Sequence, residues 1–242
     1  ALLPAALYGL ALYKGAAIGV LFLAIGSAML WEVLFNLISK KELSIGDLDA
    51  AVIGMIFGMM VPATAPWWVL LTGTFVAVVI GKMIFGGMGA NPFNPALTGM
   101  AILMLSWPVY FDFDAALVNY EFDFTALAPL AALKFMGATE AQGMFSMENL
   151  IMGREVGGIG TTFGIGIIFG GVYLMLRGYI RWEITFSFIA GVLITALLFK
   201  MNDPEKYANP LFHLFSGYTL FGAFFLATEN SSSPVNRVPM MI

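Results

Sequence analysis

Cysteine is absent from this 242-residue chain, and histidine occurs once, as His213. The first absence excludes disulfides and cysteine-ligated iron–sulfur clusters within the chain. The second excludes a bis-histidine haem. If the chain handles electrons, an organic cofactor has to carry them. Charge is scarce too: charged residues make up 11% of the chain, where a soluble domain carries roughly a quarter. What is there instead is apolar. Hydrophobic residues are 60% of the chain and the mean hydropathy is +0.89. No water-soluble surface can be built from that inventory, so the class is integral membrane protein. The net charge of −4 adds little, because residence in the bilayer dominates. Nucleic acid is not an expected partner, and no catalytic or metal-ligating constellation is read.

Residues 15–39 form one apolar run, closed by Lys40 and Lys41 and long enough to span. Residues 47–61 are apolar but short and end in "VPATAP". Residues 66–85 span again, and 95–109 form a second short run opening on Pro95. The character then changes. Residues 110–158 carry Asp112, Asp114, Glu121, Asp123, Glu140, Glu148 and Glu155, and read as one polar insert with a short interfacial helix over 125–137. Spanning runs resume at 161–177 and 184–199, 210–228 follows, and a last helix starts near Arg237. Ala1–Tyr13 reads as the end of an apolar helix and Ile242 sits in a new apolar run. Truncation at both ends is therefore expected.

Short segments interrupted by Gly or Pro point to a midplane site in proteins built from inverted repeats. Sliding 48–66, "LDAAVIGMIFGMMVPATAP", onto 216–234, "SGYTLFGAFFLATENSSSP", aligns Gly54 with Gly222, Phe57 with Phe225 and Pro66 with Pro234. The expected fold is therefore all-α: one polytopic transmembrane domain over 1–242, with inverted repeats and discontinuous half-helices. If the helices alternate, Lys40, Lys41, Lys82, Arg177, Arg181 and Arg237 share one side, and Lys14, Lys200 and Lys206 the other. The first side is then cytoplasmic and the insert faces outward.

The stretch "FGGMGANPFNPALTG", residues 85–99, breaks the backbone between two oily runs. Pro92 and Pro95 lack N–H donors and push Asn91 and Asn94 away from helix. Gly86, Gly87 and Gly89 allow unusual dihedrals. A helix starting at Pro95 points free N–H groups into the loop. The stretch is either an ordinary loop between spans or a half-helix element covered by protein. Among the intramembrane acids, Asp49 and Glu229 lie near the two short helices. Each is either a coupling-path residue or a solvated interfacial one.

"GKMIFGGMGANPFNPALTG" at 81–99 resembles the signature of the D subunit of the Rnf ion-translocating oxidoreductase. The homologous B subunit of the sodium-translocating NADH:quinone oxidoreductase is similar. "PATAPWW" at 62–68, "GATEAQ" at 137–142, "GGIGTT" at 157–162, "RWEITFSFIAGVLITALLF" at 181–199 and "FFLATENSSSP" at 224–234 agree in order and cover nearly the whole chain. The resemblance implies a urea-transporter-like bundle in the inner (plasma) membrane. It implies a subunit that couples electron transfer between ferredoxin and NAD to Na⁺ or H⁺ movement. Its implied partners are the other Rnf subunits, among them a second covalent flavoprotein.

Two cofactors follow from the same resemblance. The threonine after Gly137-Ala138 takes FMN through a phosphoester, which here is Thr139; the usual Ser or Thr before that triplet is Met136, and the frequent Asp is Leu133. A non-covalent riboflavin is implied near the broken helices, around Asn91 and Asn94. On the residues alone, Gly137 equally ends a helix. In "GREVGGIGTTFG", Gly157, Gly158 and Gly160 before a helix starting near Thr161 form a candidate anion nest, with Arg154 to pair a phosphate. The alternative is a flexible turn with a Thr cap. The family usually reads Gly-Ser-Ile-Gly-Glu there, so Gly158 and Thr161 depart from it. The rival function is a small-solute channel or transporter with half-helices lining a pore. A scaffold that only holds neighbouring flavoproteins is a third. In-gel flavin fluorescence separates the first reading from both.

Overall fold

The computed structural model describes residues 1–42, 44–117, 120–233 and 236–241. Among these there is no β-strand. Helix α1 runs Leu3–Ile38 and is broken at Lys14, whose φ of 53° and ψ of −132° are not helical. Its buried residues Ala17, Val20, Leu21, Ala24, Ser27, Ala28 and Glu32 recur at three- and four-residue spacing, so one stripe faces inward. Small side chains on that stripe let α2 (Asp49–Met60) approach closely. A Cβ on Gly54 would sit 2.6 Å from the Ala24 carbonyl oxygen and 2.8 Å from Ala28 Cβ. Such close approach is how helices adhere where the surroundings are themselves apolar.

Helix α3 (Trp67–Phe75) continues through a π-helical turn, Val76–Ile80. It packs on α4 (Pro95–Ser106), with Gly99 against the Gly73 carbonyl and Ala77. The start of α4 follows from its residues: Asn94 Oδ1 accepts the Leu97 N–H, and Pro95 takes the first helical position. At the far end Trp68 meets Trp107 and Tyr110 edge-on.

The insert holds short helices α5 (Phe113–Ala116), α6 (Pro129–Met136), α7 (Ala138–Met144) and α8 (Met147–Ile151). The α6 helix covers Pro129–Met136 of the short helix expected at 125–137. Ala132, Ala138, Ala141, Phe145 and Leu150 form a small core of their own with Ala208 and Phe212, which anchors the insert to the connection after α10. Helix α9 is Gly164–Leu176 and α10 is Trp182–Asn202. The chain then gives α11 (Pro210–Phe215), a break at Ser216–Tyr218, α12 (Thr219–Phe221), a second π-helical turn (Gly222–Leu226) and α13 (Arg237–Met240).

Among the described residues, three helical stretches are long and apolar enough to cross a membrane: α1, 67–85 and α10. The short helices expected at 47–61 and 95–109 are both present as 12-residue helices, about 18 Å long against a hydrocarbon core of about 30 Å. Two expectations need correction. The run at 161–177 is not a full span, because its helix has 13 residues and starts at Gly164. Residues 159 and 160 instead pair with the end of α2. Nor is 210–228 one helix, since Gly217, at φ 64°, turns the chain out of it.

The aligned segments 48–66 and 216–234 run antiparallel. Asp49, at the start of α2, lies at the Lys82 end of the bundle, where Glu229 also lies; Met60, at its other end, accepts from the Tyr218 hydroxyl. Inverted halves require that opposition, although α2 is regular and its counterpart is broken. Pro234 and the side chain of Arg237 lie outside what is described. The remaining cations divide as alternation requires. Lys40, Lys41, Lys82, Arg177 and Arg181 sit toward the end that carries 86–94 and 227–233, while Lys14, Lys200 and Lys206 sit toward the insert.

Candidate functional site

The loop 86–94 and the segment 227–233 meet across the bundle. Gly86, Gly87 and Gly89 take φ of 126°, 103° and 82°, which side chains disfavour, and fold the loop back on itself. Asn91 Nδ2 donates to Glu229 Oε1, and Ser232 donates to Glu229 Oε2 at 2.7 Å. Asn94 caps α4 with its oxygen and donates its amide to the Leu226 carbonyl at 3.2 Å, at the end of the second π-helical turn. Each asparagine therefore ties the loop to the end of the second π-helical turn or to the segment that follows it.

Beneath these ties lies a cavity of about 500 Å³. Val52, Ile53, Ile56, Phe224 and Phe225 wall it, and Asn91, Asn94, Thr228, Glu229 and Asp49 present polar atoms at its edge. Apolar walls with a few convergent polar groups, at this size, suit a small planar ligand. All four residues singled out near the broken helices, Asn91, Asn94, Asp49 and Glu229, line this one space.

Asp49 also belongs to a cluster the sequence did not announce. Lys82 Nζ lies 2.8 Å from Asp49 Oδ2 and 2.7 Å from Glu32 Oε1, with Glu32 and Lys82 both 2% exposed at the side chain. Ser44 donates to Glu32 Oε1, and Asn36 donates to Ser44. Two carboxylates share one ammonium, so the cluster carries a net negative charge. Reading Lys82 only as a topological marker missed this. The available signal was an acid and a base each inside an apolar run, which implies a partner.

The other predicted residues lie in the insert. Gly137, at φ 90° and ψ 173°, ends α6 and separates it from α7, as the helix-end reading expects. Ala138 is buried; Thr139 is exposed in the first turn of α7, and its hydroxyl has no hydrogen-bond partner among the described residues. Arg154 is not beside it. With Asp123, Asn149, Phe122 and Phe124 it lines a polar recess that also takes in Met144 and Phe145, at the far end of α7.

The glycine nest is corrected too. The Gly160 N–H donates to the Met59 carbonyl at 3.0 Å and the Ile159 N–H to the Val61 carbonyl at 3.4 Å. A Cβ on Gly158 would come within 2.8 Å of the Met59 and Met60 carbonyl oxygens. Gly157 accepts from the Tyr13 hydroxyl. This loop caps the C-terminus of α2, whose last carbonyls lack helical donors, and no helix starts at Thr161. In the same loop Glu155 is fully buried. Burial pushes its carboxyl well above the usual range, against the opposing pull of the Gly217 N–H.

Comparison with known proteins places this arrangement. A family model described as NQR2, RnfD, RnfE matches residues 1–242. The D subunit of the ion-translocating oxidoreductase complex of Alcanivorax borkumensis is 34% identical, over 94% of this chain and 72% of its own length. The D subunit of the Na⁺-translocating ferredoxin:NAD⁺ oxidoreductase complex of Acetobacterium woodii is 33% identical, over 100% and 73%. The proton-translocating counterpart of Clostridium ljungdahlii is 32% identical, over 97% and 73%. The expected resemblance thus holds over the whole length, and the chain belongs to the NQR2, RnfD, RnfE family.

Proposed function

We propose that this chain is the membrane electron-carrying subunit of an ion-translocating ferredoxin:NAD oxidoreductase complex, holding one flavin covalently and a second non-covalently. The observation that carries the reading is the walled cavity under Asn91, Asn94 and Glu229 in a chain without cysteine. With no thiolate for a cluster, an isoalloxazine ring is the redox group these residues suit. Val52, Ile53, Ile56, Phe224 and Phe225 would cover its faces, and Asn91, Asn94 and Thr228 would offer hydrogen bonds at its edge. Such a flavin supplies electron transfer. The chain's own part is to hold the ring, keep water from it and place charge beside it.

On the insert, the exposed Thr139 hydroxyl fits attachment of FMN through its phosphate. Gly137 and Ala138 leave the approach open, and the helix start at Ala138 favours a negative group. Arg154 lines the recess at the other end of α7 and is not assigned to that phosphate. Asp49 and Glu229 both reach the cavity, and Glu32–Lys82–Asp49 carries net negative charge at the same end. Together they suit entry of Na⁺ or H⁺ beside the flavin. The other subunits of the complex would supply the nicotinamide site and the iron–sulfur clusters, and a urea-transporter-like arrangement of inverted halves would place the insert outside the cell.

The test is direct. The purified, denatured subunit should show a yellow-green fluorescent band on a gel, lost in Thr139→Ala. The mass of the peptide containing residue 139 should fall by that of a phosphoester-linked FMN in the same variant. A dark wild-type band would sink the covalent part, and a complex whose total flavin is unchanged by bulky substitutions at Ile53 and Phe225 would sink the cavity part.

A further inference from the structure

Glu155 is used by nothing described so far. It lies in the loop that caps α2, against the break between α11 and α12. Its Oε1 accepts the Gly217 N–H at 3.1 Å. Its Oε2 is buried and has no hydrogen-bond partner among the described residues, and the same holds for Ser216 Oγ, one residue from that N–H. Both residues are 0% exposed. No cationic group of the described residues lies within ion-pair distance of Glu155. The nearby hydroxyls are committed elsewhere: Tyr13 donates to the Gly157 carbonyl and Tyr218 to the Met60 carbonyl.

A carboxylate in such a place is costly unless a positive charge or a proton joins it. A proton on Oε2 would remove the charge but would leave Ser216 Oγ without a partner. A cation resolves both orphans together, since carboxylate and hydroxyl oxygens are its natural ligands. The helix that would have used the last carbonyls of α11 stops at Phe215, leaving further oxygens at a negative helix end. Broken helices in transporters bind cations in this way. One carboxylate balances one positive charge. A divalent ion would keep an excess charge and needs more oxygens, usually from several carboxylates.

From this we infer that Glu155 and Ser216 hold a dehydrated monovalent cation, Na⁺ in size, in an occluded site at the break between α11 and α12. The site is at the insert end of the bundle, opposite the end where Asp49 and Glu229 line their cavity. It does not depend on either flavin assignment.

The intact complex in detergent is probed by hydrogen exchange with mass spectrometry, in NaCl against choline chloride at equal ionic strength. In the wild type, peptides covering 153–163 and 212–219 should exchange about tenfold more slowly once Na⁺ is ten times its dissociation constant. Glu155→Gln removes the charge and keeps the shape; its peptides should be protected in choline already and indifferent to Na⁺. Ser216→Ala should keep the response but need about tenfold more Na⁺, a loss typical of one buried oxygen ligand. If Glu155→Gln prevents assembly, Glu155→Asp and Ser216→Ala carry the test through their shifted Na⁺ dependence. An unchanged Na⁺ response in these variants overturns the site, as does a wild type whose peptides ignore Na⁺ at every concentration.

Discussion

Single residues decide the charge balance of this bundle. Lys82 neutralises part of two carboxylates that would otherwise stand buried and unpaired. Removing one partner of such a cluster costs about 3–5 kcal/mol, because the other charge stays behind. Lys82→Met should therefore lower the melting temperature of the detergent-purified protein sharply, and adding Glu32→Gln should restore most of the loss. Asp114 gives a weaker, pH-dependent case. Burial raises its carboxyl above the usual value; the Ala128 N–H, 2.6 Å from Oδ1, works against that, and Asp112 adds to it. The folded insert thus holds that proton more tightly than the unfolded chain. Stability from this group is full below the ordinary carboxylate range and declines as pH rises through the raised value. Asp114→Asn should flatten that slope in an unfolding series across mildly acidic pH.

At the scale of elements, glycines set where helices stop and how closely they pack. Gly137 joins α6 to α7 in a conformation open almost solely to glycine. Gly137→Ala should destabilise the insert by about 1–3 kcal/mol, seen as faster exchange in α6 and α7, and should leave α1–α4 unaffected. These elements were unequally legible. Asn94-Pro95 announces the start of α4 because cap and proline act within a few residues. The run 210–228 looks continuous, yet it breaks at Ser216–Tyr218, since a single Gly217 in an apolar stretch carries no local signal strong enough to mark a break. The loop 157–161 stayed open between nest and turn for a different reason. Its donors go to α2, far earlier in the chain, and local glycine spacing cannot distinguish capping a distant helix from cradling an anion. Glu32 and Lys82 pair across 50 residues in the same hidden way.

For the molecule as a whole, the question is which end faces which compartment. The cations at the Lys82 end outnumber those at the insert end, and short basic connections stay in the cytoplasm. On the proposed topology, Thr139 then lies outside the cell and the loop over the cavity inside it. The chain contains no cysteine, so each engineered thiol is unique within it. Glu140 is exposed one residue past Thr139, and Met88 is 60% exposed in the loop 86–94. Glu140→Cys should react in intact cells with a maleimide that cannot cross the membrane. Met88→Cys should react only after permeabilisation, with at least a severalfold difference in labelling between the two states. Labelling of both thiols from one side would overturn the proposed topology. It would also leave the flavin tether and the cavity on the same side of the bilayer, with no path across it for this chain to supply.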